Sequence, residues 1–89
     1  MKTWEMIARG RVQGVGFRWF VQRTALHHSL NGYVQNRFDG SVYIIAQGET
    51  HLLENFRLAI ESGNRLARVA NLETTEIDSA KKYDDFEIR

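Results

Sequence analysis

The sequence predicts an α+β fold in which an antiparallel sheet carries two helices on one face. Two observations lead to this prediction. Apolar residues alternate with period two in several short stretches, as in strands that bury one face. They recur at i, i+3, i+4 and i+7 in two longer stretches, as in amphipathic helices. With 89 residues in all, we expect one domain over residues 1–89.

The N-terminal third predicts a strand, a loop and a helix. Residues 4–12 alternate apolar and polar side chains, which is typical of a strand with one buried face. Glycines at positions 10, 14 and 16 predict a loop whose backbone needs conformational freedom. From Phe17 onward the spacing of apolar residues changes to that of a helix. One helix face is formed by Phe17, Phe20, Val21, Thr24, Ala25 and His28.

A hairpin is predicted after this helix. Asn31-Gly32 is expected to stop the helix, and residues 33–37 and 41–47 have the pattern of strands. Asp39-Gly40 between them predicts a tight turn, because both residue types tolerate positive φ.

The second half of the chain predicts one more helix and two strands. Gly48 is expected to break the third strand, and the helix that follows, with apolar residues at 52, 53, 56, 59 and 60, should end near Gly63. Residues 68–77 predict a fourth strand and residues 85–89 a short fifth. The order β-α-β-β-α-β plus a terminal strand is the split βαβ, or ferredoxin-like, arrangement. Since this fold hosts many chemistries, the order alone does not establish a function.

Composition excludes several classes of protein. Without cysteine, the chain can form neither a disulfide framework nor a thiolate metal site or nucleophile. A formal net charge of +1 and a pI near 8.2 are too weak a bias to predict nucleic-acid binding. No window approaches the ~20 apolar residues of a membrane span, and the first residues lack the apolar run of a signal peptide. We therefore expect a cytoplasmic protein with no membrane partner.

Residues 10–18 carry the strongest indication of a binding site. A glycine-containing loop leaves a strand and enters a helix there, and free N–H groups in such a loop form an anion site with those of the helix start. The segment is not a Walker A loop, because no Gly-Lys-Ser/Thr follows, and it lacks the third glycine of a dinucleotide-binding fingerprint. A loop with glycines for tight turning alone remains an alternative.

Arg18 strengthens the anion interpretation. It falls in the first turn of the predicted helix, where a cation opposes the macrodipole by about 0.3–1 kcal/mol. No acidic residue occurs between Met6 and Asp39 to pair with it locally. A guanidinium can donate two parallel hydrogen bonds to a tetrahedral oxyanion, so a bound anion would be a suitable partner. An exposed arginine, or one paired with a distant carboxylate, is the alternative.

The sequence resembles the acylphosphatase family at these residues. GRVQGVGFR at residues 10–18 matches that family's first signature along its whole length. GYVQN at residues 32–36, followed by DGSV at residues 39–42, resembles its second signature. The resemblance extends over essentially the whole chain, including residues 63–69 and the final FEIR.

The resemblance implies a small-molecule substrate, an acyl phosphate, which is hydrolysed to a carboxylate and inorganic phosphate. Arg18 would hold the phosphoryl group, and Asn36 would orient the attacking water. No metal or organic cofactor is implied, inorganic phosphate should inhibit competitively, and we expect a monomer. Taken without the resemblance, the first interpretation of Asn36 is a strand-end residue that caps a turn, because asparagine is common near turns. The loop amides that would cradle the phosphate belong to Arg11, Val12, Gln13, Gly14, Val15 and Gly16.

Some positions depart from the family pattern. Ser29 stands where the first helix often ends in glycine, and if that site needs positive φ the serine costs on the order of 1 kcal/mol. Tyr33 replaces a frequent tryptophan but keeps an aromatic ring, and the chain has no proline. These departures concern stability more than activity.

Two other kinds of site were weighed. His27 and His28 are adjacent and point about 100° apart on a helix, and His51 lies on the other helix, so a metal site is not expected. Tyr33 and Tyr43 raise the alternative of a ferredoxin-like RNA-binding module, which stacks bases on sheet aromatics. The expected aromatic signature of such modules is missing. A non-catalytic module that binds a phosphorylated ligand or RNA therefore stays the alternative function.

Overall fold

The computed structural model describes all 89 residues and confirms the predicted element order. Three strands and a helix form the first half, and the second half adds a helix and two strands. The elements are β1 (Lys2–Arg11), α1 (Phe17–His27), β2 (Asn31–Asn36), β3 (Val42–Gly48), α2 (Thr50–Glu61), β4 (Arg68–Ile77) and β5 (Phe86–Ile88).

The end of α1 differs from the prediction. Asn31 and Gly32 are the first residues of β2 rather than the stop of the helix. The reversal occurs earlier, at Ser29, which has φ 57° and donates its N–H to the Leu26 carbonyl at 3.1 Å. The condition under which serine is costly at this position, a positive φ, is therefore met. Gly48, predicted to break the third strand, is instead the last residue of β3.

The sheet has five strands in the order β4-β1-β3-β2-β5. β1 pairs antiparallel with β3 and β4, and β2 pairs antiparallel with β3. β5 pairs parallel with β2, so the predicted wholly antiparallel sheet is wrong for this strand. The reason is geometric: β4 ends at the end of the sheet where β2 begins, and the chain crosses along that end to the far edge, so β5 starts beside the start of β2 and runs in the same direction.

Both helices pack on one face of the sheet and bury the core there. Because side chains alternate along a strand, each central strand gives every second residue to this face. A fully buried Leu, Ile or Phe contributes about 1.5–3 kcal/mol, so these contacts are the main stabilising term. The buried residues include Met6, Ala8, Val34, Ile44 and Ala46 from the sheet, Phe17, Val21 and Ala25 from α1, and Leu53, Phe56 and Ile60 from α2.

The topology brings three chain segments to one end of the molecule. Asn36 lies opposite Val42 on β3, and Val42 lies opposite Ala8 near the end of β1. The loop that follows β1 and the start of α1 are therefore close to the last residue of β2. β5 runs parallel to β2 and finishes at this same end. None of the helices has the length and apolar character needed to cross a membrane.

We expect Ser29→Gly to raise the free energy of unfolding by up to about 1 kcal/mol. A left-handed backbone costs a residue with a Cβ roughly 1–2 kcal/mol. The larger unfolded-state entropy of glycine, about 0.4–1 kcal/mol, offsets part of the gain. Urea unfolding measures the difference. Ser62→Gly is the control, since Ser62 follows α2 with φ −69° and should gain nothing. Equal or lower stability of Ser29→Gly would contradict the argument.

Candidate active site

The loop at residues 12–16 joins β1 to α1 and turns its main chain toward solvent. Val12 and Val15 point inward and are only 1% and 8% exposed. Gly14 and Gly16 are exposed, with φ 73° and 76°, values that residues with a Cβ adopt only at a cost. The valines hold the loop against the core, and the glycines let the backbone between them bend outward.

The N–H groups of this loop are free of protein acceptors. No backbone N–H from residue 12 to residue 19 donates to a protein group, and the first bond of α1 runs from Phe20 N to Gly16 O at 3.1 Å. The helix start has no side-chain cap and no acidic residue in its first turn. A run of unpaired donors at the positive end of a helix is a suitable site for an anion.

Two side chains hold the loop in place without using these N–H groups. The Gln13 amide nitrogen donates to the carbonyls of Arg37 and Ser41 at 2.8 and 2.9 Å. The Asn64 amide donates to the Val15 carbonyl at 3.3 Å, while its oxygen accepts the N–H of Ala67 at 2.6 Å. The sequence pattern predicts a role only for the main-chain amide of Gln13 and none for Asn64. Nothing in the local pattern marks either contact, because each joins residues far apart in the chain.

Arg18 is half-buried in the first turn of α1. One guanidinium nitrogen donates to the main-chain oxygen of Arg89 at 3.0 Å. No Asp or Glu side chain forms an ion pair with its guanidinium, so a distant acidic side chain is not its partner. A guanidinium has five N–H donors, and the contact with Arg89 leaves the others available to a ligand.

Asn36 is the last residue of β2, and its side chain lies on the helix-bearing side of the sheet. Its Oδ1 is buried and has no hydrogen-bond partner in the protein. Leaving such an acceptor unsatisfied costs about 1–3 kcal/mol. The side chain does not cap the following turn, where Asp39 instead accepts from the N–H and hydroxyl of Ser41 at 3.0 and 2.6 Å. The turn therefore does not use the side chain of Asn36.

The two predicted side chains meet in one cavity of about 210 Å³. Arg11 lies outside the loop as the last residue of β1, and the side chains of Gln13 and Val15 do not reach the cavity wall. A larger and more open cavity of about 760 Å³ adjoins at Asn36 but lacks both Arg18 and the loop glycines. The smaller cavity is lined by Val12, Gly14, Gly16, Phe17, Arg18, Trp19, Asn36 and Ile88.

The open face of the sheet gives no support to base stacking. The rings of Tyr33 and Tyr43 lie there 6.0 Å apart, but Arg89 covers Tyr33 at 3.9 Å and Arg37 covers Tyr43 at 4.1 Å. Burial, together with a 2.6 Å hydrogen bond to Glu5, raises the pKa of Tyr43 well above its usual range. An incoming base would have to displace both arginines.

The histidines do not gather into a metal site. His28 makes a 2.8 Å hydrogen bond with the Thr24 carbonyl, and His51 lies on α2. No group of three or more potential ligands among His, Cys, Asp and Glu comes together in the structure.

The fold and the cavity together define a ferredoxin-like α+β protein with a candidate anion site at the start of its first helix. The sequence profile of the acylphosphatase family matches residues 4–88. An acylphosphatase of Bacillus velezensis is 43% identical over 88 residues, covering 99% of this chain and 98% of its own. The chain belongs to the acylphosphatase family.

Solved structures of the family agree with the fold. The crystal structure of the acylphosphatase from Bacillus subtilis superposes with a TM-score of 0.96 at 40% identity and covers 100% of this chain and 99% of its own. The structure of an acylphosphatase from Coxiella burnetii gives a TM-score of 0.93 at 32% identity, over 99% of this chain and 92% of its own. The predicted ferredoxin-like architecture is thus confirmed.

Proposed function

We propose that this protein is an acylphosphatase, which hydrolyses the carboxyl-phosphate bond of acyl phosphates to a carboxylate and inorganic phosphate. Membership of the family supports the activity. The observation that carries the assignment of residues is the shared cavity, which Arg18, the loop glycines and Asn36 line together.

The phosphoryl group binds between the guanidinium of Arg18 and the N–H groups of residues 12–16. These donors are fixed before the substrate arrives, because α1, the buried valines and Asn64 hold them. Preorganised donors stabilise the charge on the three equatorial phosphoryl oxygens and need no reorganisation during the reaction.

Asn36 positions the attacking water. Its side-chain amide lines the cavity and hydrogen-bonds the water, so that a lone pair of the water oxygen is directed toward phosphorus. The new P–O bond forms as the bond to the carboxylate oxygen breaks on the opposite side. Both water protons leave with the phosphate product, so the step needs no general base. Holding the water in line is therefore the main contribution of this side chain.

The leaving group needs little help. A carboxylate is a stable anion, so its departure does not require a general acid, and positioning with charge stabilisation can supply the catalysis. Inorganic phosphate presents the same oxygens to the same donors and should compete with the substrate. We propose further that the protein acts as a monomer in the cytoplasm, consistent with the absence of cysteine.

Arg18→Ala should lower kcat/KM for benzoyl phosphate by about 10³-fold or more, since the main cation facing the phosphoryl group is lost. Arg18→Lys should also lose most of the activity, because an ammonium group cannot donate the two parallel hydrogen bonds of a planar guanidinium. The loss of benzoyl phosphate is followed in the ultraviolet. Arg23→Ala removes the same charge from an exposed position of α1 outside the cavity and should stay close to wild type. A folded Arg18→Ala variant with near wild-type turnover would refute the assignment.

Asn36→Ala should lower kcat by about 10²-fold while the inhibition constant of inorganic phosphate changes little, because the water is misplaced but the phosphate donors remain. Steady-state kinetics with phosphate as inhibitor measures both quantities. Asn31→Ala, at the other end of β2, is the matched control. An equal loss of phosphate affinity would show that Asn36 binds the phosphoryl group instead of the water.

Turnover should be nearly flat between about pH 5 and 7.5 after correction for substrate ionisation. Arg18 is the only ionisable side chain that lines the cavity. In the adjoining cavity, the hydrogen bonds from Ser41 hold the pKa of Asp39 below its usual value, so that carboxylate stays charged throughout this range. A pH-rate profile with a steep limb near the pKa of histidine would count against this mechanism.

A further inference from the structure

The side chain of Gln13 bridges the loop at residues 12–16 and the turn between β2 and β3. Its Nε2 donates to the carbonyl of Arg37 at 2.8 Å and to that of Ser41 at 2.9 Å. A primary amide has two N–H donors, so both are used in this bridge. These are the only hydrogen bonds between the loop and the hairpin that carries Asn36.

The acceptors of the bridge belong to a turn that is already rigid. The Arg37 carbonyl also accepts the Gly40 N–H at 3.2 Å, and the Ser41 carbonyl also accepts the Arg37 N–H at 2.9 Å. Each carbonyl oxygen therefore receives two donors, one from the turn and one from Gln13. Asp39 closes the same turn through its two bonds with Ser41. Gln13 is thus tied to a fixed platform rather than to a mobile surface loop.

Each end of the bridge is next in the chain to residues of the proposed site. Gln13 lies between Val12 and Gly14, both of which line the smaller cavity. Arg37 directly follows Asn36, which lines it too. β1 and β2 are not paired with each other, because β3 lies between them. The ladders through β3 set the separation of the two strands, but no backbone hydrogen bond joins the loop itself to the hairpin.

We infer that Gln13 is a positioning residue that fixes the distance between the phosphate-binding loop and the water held by Asn36. The inference rests on the proposed acylphosphatase activity. In-line attack needs the water oxygen to be close to phosphorus and opposite the leaving oxygen. A displacement of about 1 Å can lower the rate on the order of 10²-fold. Loss of the bridge should therefore affect the chemical step more than phosphate binding, since Asn64 still holds the loop at Val15.

Two variants of Gln13 test this role. Gln13→Met keeps the length of the side chain and removes both donors without adding charge. Gln13→Glu keeps the shape and turns a carboxylate oxygen toward the two carbonyls. In both, kcat for benzoyl phosphate should fall roughly ten- to hundredfold, and the inhibition constant of phosphate should change no more than about threefold in Gln13→Met.

Gln35→Glu and Gln35→Met are the matched controls. Gln35 is exposed, precedes Asn36 and lines the same larger cavity as Gln13, and its side chain makes no hydrogen bond to the protein. The same chemical changes there should leave kcat within about twofold of wild type. Circular dichroism and thermal unfolding of each variant confirm that the rates refer to folded protein.

The outcomes separate the inference from the function on which it rests. An active wild type with near wild-type kcat in folded Gln13→Met overturns the role of Gln13 alone. A proportional loss of kcat and phosphate affinity would show that Gln13 supports only the loop, and it also overturns the inference. A folded wild type that does not hydrolyse benzoyl phosphate refutes the proposed function, and the inference fails with it.

Discussion

The fold must keep a run of main-chain N–H groups unpaired at the start of α1. Backbone donors are normally satisfied by protein acceptors, and nearly all helix starts use side-chain caps, tertiary partners or water. Here the donors of residues 12–19 have no protein acceptor, and Gly16 occupies the N-cap position without a side chain to cap the helix. Any side chain that satisfied these groups would occupy the space that a phosphoryl group needs.

The rest of the structure compensates for a loop that cannot stabilise itself. α1 has no cap and carries an unfavourable cation in its first turn. Its stability must therefore come from burial of Phe17, Val21 and Ala25 against the sheet. The loop is anchored by buried valines and by the carbonyl of Val15, groups that do not compete for an anion. The valine side chains and the Val15 carbonyl are thus held by the protein, while the loop N–H groups have no protein acceptor.

Local patterns predicted most of the elements, because period and turn composition depend on near neighbours in the chain. Arg18 could also be found from the sequence, since a cation against the helix dipole without an acidic neighbour is a local conflict. The contacts of Gln13 and Asn64 could not, because they depend on where distant segments meet. The unpaired state of the Asn36 oxygen was equally hidden, since a strand-end asparagine is compatible with a turn cap until the facing element is known.

The direction of β5 links the one error in the predicted sheet to the site. Because β5 runs parallel to β2, it ends at the same end of the sheet as Asn36. Arg89, the residue after β5, donates its N–H to the Val34 carbonyl at 2.8 Å. The main-chain oxygen of Arg89 then meets the guanidinium of Arg18. Gln22 ties α1 to the same strand through the Phe86 carbonyl at 2.9 Å. An antiparallel β5 would finish at the opposite end of the sheet, and Arg18 would lose the acceptor that orients it. This single contact leaves the other N–H donors of the guanidinium free for an anion.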